Sequence, residues 1–372
     1  MPALSEMDLA IAGSPVKVRV RHAVQAIRTL AELDRIASGW ERLAAGRNPV
    51  SDFAYARAWA AGLDGTQRLH VLTAGNADDL AIAPLVINRG GAGWLTLLAS
   101  EMYEILDFLG ADEAAVSELA RAIVQTGRPL YLKRVPADAP VVAALEAAYR
   151  GRGFVRRRPA GGSPWIPLDA SWAEPEMRLE AGRRSDLRRA MRLAEKMGAV
   201  ETAIVTPTRE QLPQLVEEAF QVEDAGWKGA HGTALAVDPV RGAFFRRYLE
   251  QACAQGTLRM CMLRIGGRAA AAQIAIESGG RFDLLRAGYD EQFSRCSPGM
   301  LLTAESIRYA ARRGLRSYEF NGNVEAWTKV WTQHEHACCS LRAYPFSPRG
   351  AWALWRDGRA AAVGKLRGRF KP

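Results

Sequence analysis

Four stretches of the chain carry side chains able to move protons or hold anions. In Glu223-Asp224-Ala225-Gly226-Trp227-Lys228-Gly229, two carboxylates, a Trp and a Lys stand where a helical pattern runs into a glycine-rich segment. That group can take up a proton and bind a charged substrate. It equally fits a helix C-terminus capped by Gly226, with Trp227 folded back onto the core. Arg295-Cys296-Ser297-Pro298-Gly299-Met300 joins a strand to a helix start. Backbone N–H groups there lack helical partners and Gly299 lets an anion approach, although Pro298 is also simply a good first helical residue. In Phe282-Asp283-Leu284-Leu285-Arg286-Ala287-Gly288-Tyr289, strict alternation puts Asp283 and Tyr289 on one face and Arg286 on the other. Charges inside an apolar strand are costly unless they are paired or line a cleft. Finally, Glu319-Phe320-Asn321-Gly322-Asn323 ends a strand in a polar turn, followed by Lys329 and Trp331, which either clamp an acidic or aromatic group or pack structurally.

These residues need elements to hold them. Periodicity predicts a strand at Val16–Arg21, helices over Leu30–Leu43 and Phe53–Leu63, and strands at Leu69–Thr73, Leu80–Asn88 and Trp94–Leu98. Helices at about 114–126 and 140–152 flank a strand at Leu130–Lys133, and the Gly/Pro/Arg-rich Arg156–Pro164 marks a boundary. Beyond it come a helix at 183–197, a strand at Val200–Val205, helices at 209–224 and about 240–255, and strands at Leu258–Ile265, Ala269–Glu277 and Phe282–Tyr289. A helix at about 299–313 and a strand at 315–320 follow. In the helix at 183–197, Leu187, Met191 and Ala194 form the inward stripe and Arg184, Arg188 and Arg192 line another face. Residues 69–104 and 258–291 share one plan of strand, Gly turn, strand, GG turn, strand and acidic end, as a duplicated domain would.

Composition narrows the classes. The 372 residues are 48% hydrophobic and 24% charged, which suits two soluble globular units. The net charge of +10 has two sources: residues 178–197 hold seven basic and three acidic residues, and residues 349–372 hold seven basic residues and one acid. No long apolar run and no basic leader appear, so a cytoplasmic protein is expected. The five cysteines are odd in number and form no CxxC pair, which suggests reduced thiols. His334 and His336 beside Cys338-Cys339 find no second ligand pair at a usual spacing, so no metal is expected. Walker A, GxGxxG, HExxH, GxSxG and kinase motifs are absent, which disfavours those enzyme classes.

In the order of its motifs the sequence resembles the acyltransferases of the GNAT superfamily of N-acetyltransferases, in particular the cellulose-biosynthesis-type group, with the Fem-type aminoacyl transferases as relatives. The resemblance rests on Asn48-Pro49 with Trp59, Tyr103 with Asp107-Phe108-Leu109, Leu187-Arg188-Arg189, Glu223 with Trp227-Lys228-Gly229 and Gly232-Thr233-Ala234, Ala287-Gly288-Tyr289-Asp290, Ser297-Pro298-Gly299, Glu319-Phe320, and Lys329 with Trp331. It covers about residues 20–345. The superfamily's usual Gln/Arg-x-x-Gly-x-Gly/Ala loop is replaced by Arg295-Cys296-Ser297-Pro298-Gly299.

The resemblance implies an α/β fold of two tandem GNAT-like domains, each a mostly antiparallel mixed sheet flanked by helices. The expected divisions are a disordered start (1–15), a structural first domain (16–160), a catalytic second domain (165–346) and a basic tail (347–372). It implies an N-acyltransferase with acyl-CoA as co-substrate and no permanently bound cofactor, acyl carrier protein or aminoacyl-tRNA being the other donors. Glu223 or Asp283 would accept the amine proton, and Tyr289 would protonate or orient the leaving group. Trp227, Lys228, Arg286, Asn321 and Lys329 would bind substrate, and Arg295, Cys296, Ser297, Gly299 and Met300 the donor. The tail, with two Trp and the cations Arg356, Lys365, Arg367 and Arg369, suits either an anionic membrane surface or a solvated helix. A membrane would favour a lipid amine acceptor such as a sphingoid base; an exported amino sugar, a peptidoglycan peptide and an inactive RNA- or carrier-binding module are the alternatives. Apart from tRNA, nucleic acid is not an expected partner.

Overall fold

The computed structural model describes residues 23–75, 80–102, 104–110, 112–226 and 238–369. The expected disordered start, the strand Val16–Arg21, and Trp227 and Lys228 lie outside them. The first half runs β1 (Val24–Ile27), α1 (Leu30–Asp34), α2 (Ala37–Ala44), α3 (Phe53–Ala60), β2 (Gln67–Leu69), β3 (Val71–Ala74), β4 (Ala81–Ala83), β5 (Leu85–Asn88), β6 (Leu95–Leu97), β7 (Leu109–Gly110), α4 (Glu113–Gln125), β8 (Leu130–Pro136) and α5 (Pro140–Tyr149). Then come β9 (Gly153–Pro167), α6 (Ala181–Met197), β10 (Val200–Val205), α7 (Leu212–Asp224), α8 (Pro239–Ala254), β11 (Leu258–Ile265), β12 (Arg268–Ser278), β13 (Arg281–Tyr289), α9 (Pro298–Arg312), β14 (Ser317–Glu319), β15 (Glu335–Pro345) and α10 (Pro348–Arg369).

The fold is α/β, with sheets flanked by helices. One sheet has the order β1-β3-β4-β7, and the other runs through both halves as β10-β11-β12-β13-β14-β9-β15-β8-β6-β5-β2. The expected boundary at Arg156–Pro164 therefore falls inside β9. That strand pairs with β15 along Gly153–Pro164 and with β14 along Trp165–Pro167. Its composition hides it, because Arg156, Arg157 and Arg158 are exposed and prolines interrupt the apolar pattern. The strand β15, expected to belong to the second domain, lies between β9 and β8 of the first half's sheet.

The two halves differ in their meanders. The expected strands Leu69–Thr73 and Leu80–Asn88 each break, at His70 and at Pro84, where the His70 N–H donates to Leu85 O. The chain switches sheets there, as strands do at a corner. In the second half β10 to β13 stay in one antiparallel sheet.

Helices α7 and α8 pack with the first half in one large core, and α6 and α9 cover the other face of β11 to β13. On α6 the buried residues are Ala190 and Ala194, while Leu187 and Met191 are half-buried. The halves are joined by rings. Phe244 on α8 meets Tyr55 at 4.9 Å and Trp59 at 5.0 Å edge-on, and Tyr248 meets Tyr55 at 5.1 Å. Such pairs add about 0.5–1.5 kcal/mol each beyond area burial.

Candidate active site

The site arises where two parallel strands part. Strands β13 and β14 pair only over Arg281↔Ser317, Phe282↔Tyr318 and Asp283↔Glu319. After that the chain leaves β13 and follows β9, and the Phe320 N–H donates to Pro164 O. One edge of β13 is thus left without a strand from Leu284 onward. On the other edge the register against β12 slips: Ile274 faces Arg286 and Ala275 faces Leu284, so Leu285 is a bulge. A bulge inverts the alternation beyond it, which turns Arg286 to the face of Asp283 and not to the opposite one as strict period-2 alternation predicts.

The fork encloses about 630 Å³, walled by residues from both halves, including Glu104, Glu223, Arg286, Tyr289, Ser297 and Asn321. Three non-glycine residues among those described have φ in the left-handed region, and two of them, Ser297 (φ 47°) and Asn321 (φ 53°), stand in this wall. Backbone strain of that kind persists where the surroundings enforce it and clusters at functional sites.

Glu223 comes from the last turn of α7 and is ion-paired with Arg286 at 2.6 Å, the carboxylate side chain being 5% exposed. The approach needs Gly288, since a Cβ there would lie 2.9 Å from Glu223 Cα. Tyr289 lies against the start of α9, its ring 3.5 Å from where a Cβ on Gly299 would sit. Burial, followed by the neighbouring Glu291, raises the Tyr289 phenol, so it keeps its proton at neutral pH.

A carboxyl that the sequence patterns do not flag completes the wall. Glu104 belongs to the first half, between the 3-10 turn Ser100–Met102 and β7. Its Oε2 is buried without a hydrogen-bond partner. Burial pushes its carboxyl up to about 7, against the opposing influence of Arg134 and a hydrogen bond from the Gly322 N–H. Arg134, itself 1% exposed, donates to the carbonyls of Gly161, Gly162 and Gly322, so a first-half arginine fixes the turn after β14. Gln273 Oε1 and Arg286 Nε are also buried, unpartnered and in residues that face the cavity. Buried polar atoms normally find a partner, so three unpartnered ones in residues that wall one cavity mark this wall as polar and incompletely satisfied. Glu104 is invisible to motif spacing because contact across the halves, not the chain, brings it to Glu223 and Arg286. The acidic end of the 69–104 meander is the one trace of it in the sequence.

Several expected site residues stand elsewhere. Asp283 is 0% exposed and outside the cavity wall. Arg281 holds it at 2.8 Å and also reaches Glu319, which pairs with His336 at 2.9 Å. Burial still raises the Asp283 carboxyl, to about 6, and the charge of Asp283 adds to the burial that lifts Asp52, from the first half, to about 7. Asn321 does reach the wall; its Nδ2 donates to Leu284 O at 3.4 Å. Lys329 is exposed on the 3-10 turn Thr328–Val330 and does not line the cavity, which Trp327 borders instead.

The loop before α9 is less open than expected. Cys296 is buried, and its Sγ donates to Phe293 O, so it is a packing residue. The N–H of Ser297 goes to Ser294 O, and those of Met300 and Leu301 go to Ser297 O, so only the Gly299 N–H lacks a backbone acceptor there. Arg295 is exposed and borders a second cleft of about 380 Å³ with Arg183 and Arg189 of α6. This cleft shares Ser297, Met300 and Trp327 with the first, so the basic helix flanks the mouth of the fork. No group of three or more His, Cys, Asp or Glu side chains able to hold a metal occurs among the described residues.

No curated protein matches the chain. Among solved structures, it resembles the C-terminal domain of a protein named as a lysylphosphatidylglycerol synthetase from Agrobacterium fabrum (TM-score 0.57, 13% identity, 89% of this chain and 96% of that one). It also resembles a Bacteroides thetaiotaomicron protein of unknown function (0.53, 12%, 86% and 99%) and FemX (0.52, 12%, 87% and 97%). At such identities the likeness speaks for the fold alone. Residues 181–329 match the family model of the acetyltransferase (GNAT) domain, a span that opens on α6 and closes in the turn Thr328–Val330. The forked strands β13 and β14 thus lie within the span that matches the GNAT acetyltransferase domain.

Proposed function

We propose that the protein is an N-acyltransferase that moves an acyl group from an acyl thioester, acyl-CoA in the first place, to a primary amine held in the fork of β13 and β14. One observation carries this: a single cavity holds a carboxyl with an unpartnered oxygen, Glu104, and a phenol kept protonated, Tyr289. The amine nitrogen attacks the thioester carbonyl carbon and gives its proton to the Glu104 carboxylate. The C–S bond then breaks, and the thiolate takes the proton of Tyr289. A base with a pKa near the working pH is the effective one, which favours Glu104 over Glu223, whose charge is committed to Arg286.

The unpaired edge of β13 suits an extended thioester arm that carries amides, because a sheet edge offers its free N–H and C=O groups to a further strand-like chain. The Gly299 N–H and the cations Arg183, Arg189 and Arg295 suit the donor's phosphates. Leu284, Leu285, Met300 and Phe320 give the cavity apolar wall for an acyl or alkyl chain, so a lipid amine such as a sphingoid base is the favoured acceptor. An amino sugar on an exported polysaccharide, as the cellulose-biosynthesis-type resemblance suggests, is the alternative.

The test is purified protein with acyl-CoA or acyl carrier protein against a lipid amine, an amino sugar and a peptide amine, reading thiol release and the N-acyl product by mass spectrometry. Amine-dependent release with a product is expected. Absence of transfer in every combination overturns the proposal.

A further inference from the structure

Eight large hydrophobic side chains are exposed among the described residues, and five of them, Phe154, Phe346, Trp352, Leu354 and Trp355, come from the start of β9, the residue after β15 and the first turns of α10. Strand pairing brings the first two together: Phe154 faces Tyr344 across the β9–β15 ladder, and its ring meets Phe346 edge-on at 5.2 Å. Trp352 and Trp355 stack at 4.9 Å on the outer side of α10. The inner side is settled by Ala353, which is 1% exposed, and by Asp357, which bonds Arg342 and, at 2.6 Å, the Tyr344 hydroxyl. Asp357 is the sole acid of α10, so its charge is spent on holding the helix down. Arg349, Arg356 and Arg359 of the same helix are exposed, with the Arg359 guanidinium 4.7 Å above Trp355. Lys365, Arg367 and Arg369 follow in the sequence.

We propose that this end of the molecule is a docking surface for an anionic lipid bilayer, with the paired rings at headgroup depth and the cations on lipid phosphates. Trp prefers that depth because it joins an apolar body to one polar N–H. A second copy of the chain would bring the same positive charge to the contact and is disfavoured. A nucleic acid needs single rings open for base stacking, whereas these rings are already engaged with each other. No helix among the described residues is long and apolar enough to cross a membrane, so the contact is with the surface. Sequence composition suggests a basic tail for this role; the structure adds Phe346, just before it, and Phe154, far away in sequence, to its apolar part. The surface stands independently of which amine the fork acylates.

The full chain is mixed with vesicles of phosphatidylcholine containing phosphatidylglycerol, or of phosphatidylcholine alone, and sedimented; a single-stranded RNA is titrated in parallel. Binding is expected on the anionic vesicles, weakening with salt. It should fall by roughly tenfold or more in Trp352→Ser/Trp355→Ser and in Phe154→Ser/Phe346→Ser, and by a similar factor in Arg349→Glu/Arg359→Glu. None of these residues lines the fork, and an unchanged far-UV circular dichroism spectrum and urea midpoint certify that each variant folds. Equal binding to both vesicle types, unchanged binding of the aromatic variants, preference for the RNA, or a dimer that the same substitutions dissolve each overturns the proposal.

Discussion

The two halves use a similar meander to opposite ends. In the first half the strands break at His70 and Pro84 and divide between two sheets, and α3 sends Tyr55 and Trp59 into the aromatic cluster with α8. A hollow walled entirely by that half, among Trp40, Tyr55, Leu98 and Asp107, holds about 20 Å³. In the second half the sheet stays whole until β14 leaves β13, and the gap holds about 630 Å³. The difference teaches a division of labour. One half is packed and lends Glu104 and Arg134, while the other keeps a strand edge open, and the site needs both.

That contrast can be broken in measurable ways. The largest effect belongs to the lent carboxyl. Glu104→Gln should lower turnover by about 100-fold or more while far-UV circular dichroism is unchanged. It should also remove the rise in rate that the wild type shows as pH passes through about 7, where Glu104 ionises. A loss below tenfold would place the base on Glu223. Next, Gly288→Ala forces a Cβ against the Glu223 backbone and should cost about 1–3 kcal/mol in denaturant unfolding along with most activity. If the halves are one cooperative body, Trp59→Ala should destabilise by about 3–5 kcal/mol and the protein should still unfold in a single transition by near-UV and far-UV signals. Two transitions would separate the halves.

Smaller effects concern two acids, Asp52 and Asp283, whose charges act on each other across the halves. Asp52, at about 7, and Asp283, at about 6, both have carboxyls raised above their usual value, mainly by burial. The folded state therefore holds protons that the unfolded chain releases, and these two groups lower stability as pH rises from about 4 to about 7. Asp52→Asn should flatten that fall in a series of urea melts; an unchanged slope would show that Asp52 titrates normally. The smallest effect belongs to Lys329→Ala, which should leave kcat/KM within about twofold because surface substitutions away from a site rarely matter.

Local pattern located most helices and β10 to β13 closely: Val200–Val205 and Leu258–Ile265 are strands over the expected residues, whereas the expected helix Leu30–Leu43 is split into α1 and α2 and β15 was not expected. It failed where a backbone partner overrides composition. Strand β9 is rich in Gly, Pro and Arg yet pairs with two strands at once, because its neighbours supply hydrogen bonds that its own residues do not advertise. Around the fork, Glu223, Tyr289, Arg286, Asn321 and Ser297 were legible as charged or polar interruptions near strand and helix ends, and they do meet in one cavity. Asp283 looks the same in sequence but is sealed under Arg281, since burial depends on what packs above a strand and not on its alternation.

The sequence by itself determined most element types, the basic helix at 183–197 and the polar and charged side chains near strand and helix ends, because periodicity and residue chemistry are local. Only the tertiary structure decided that the Leu285 bulge turns Arg286 toward Glu223, that Glu104 crosses from the other half, and that β15 closes the first half's sheet. Those are contacts between residues far apart in the chain, and their free energy comes from packing and desolvation that no single segment contains.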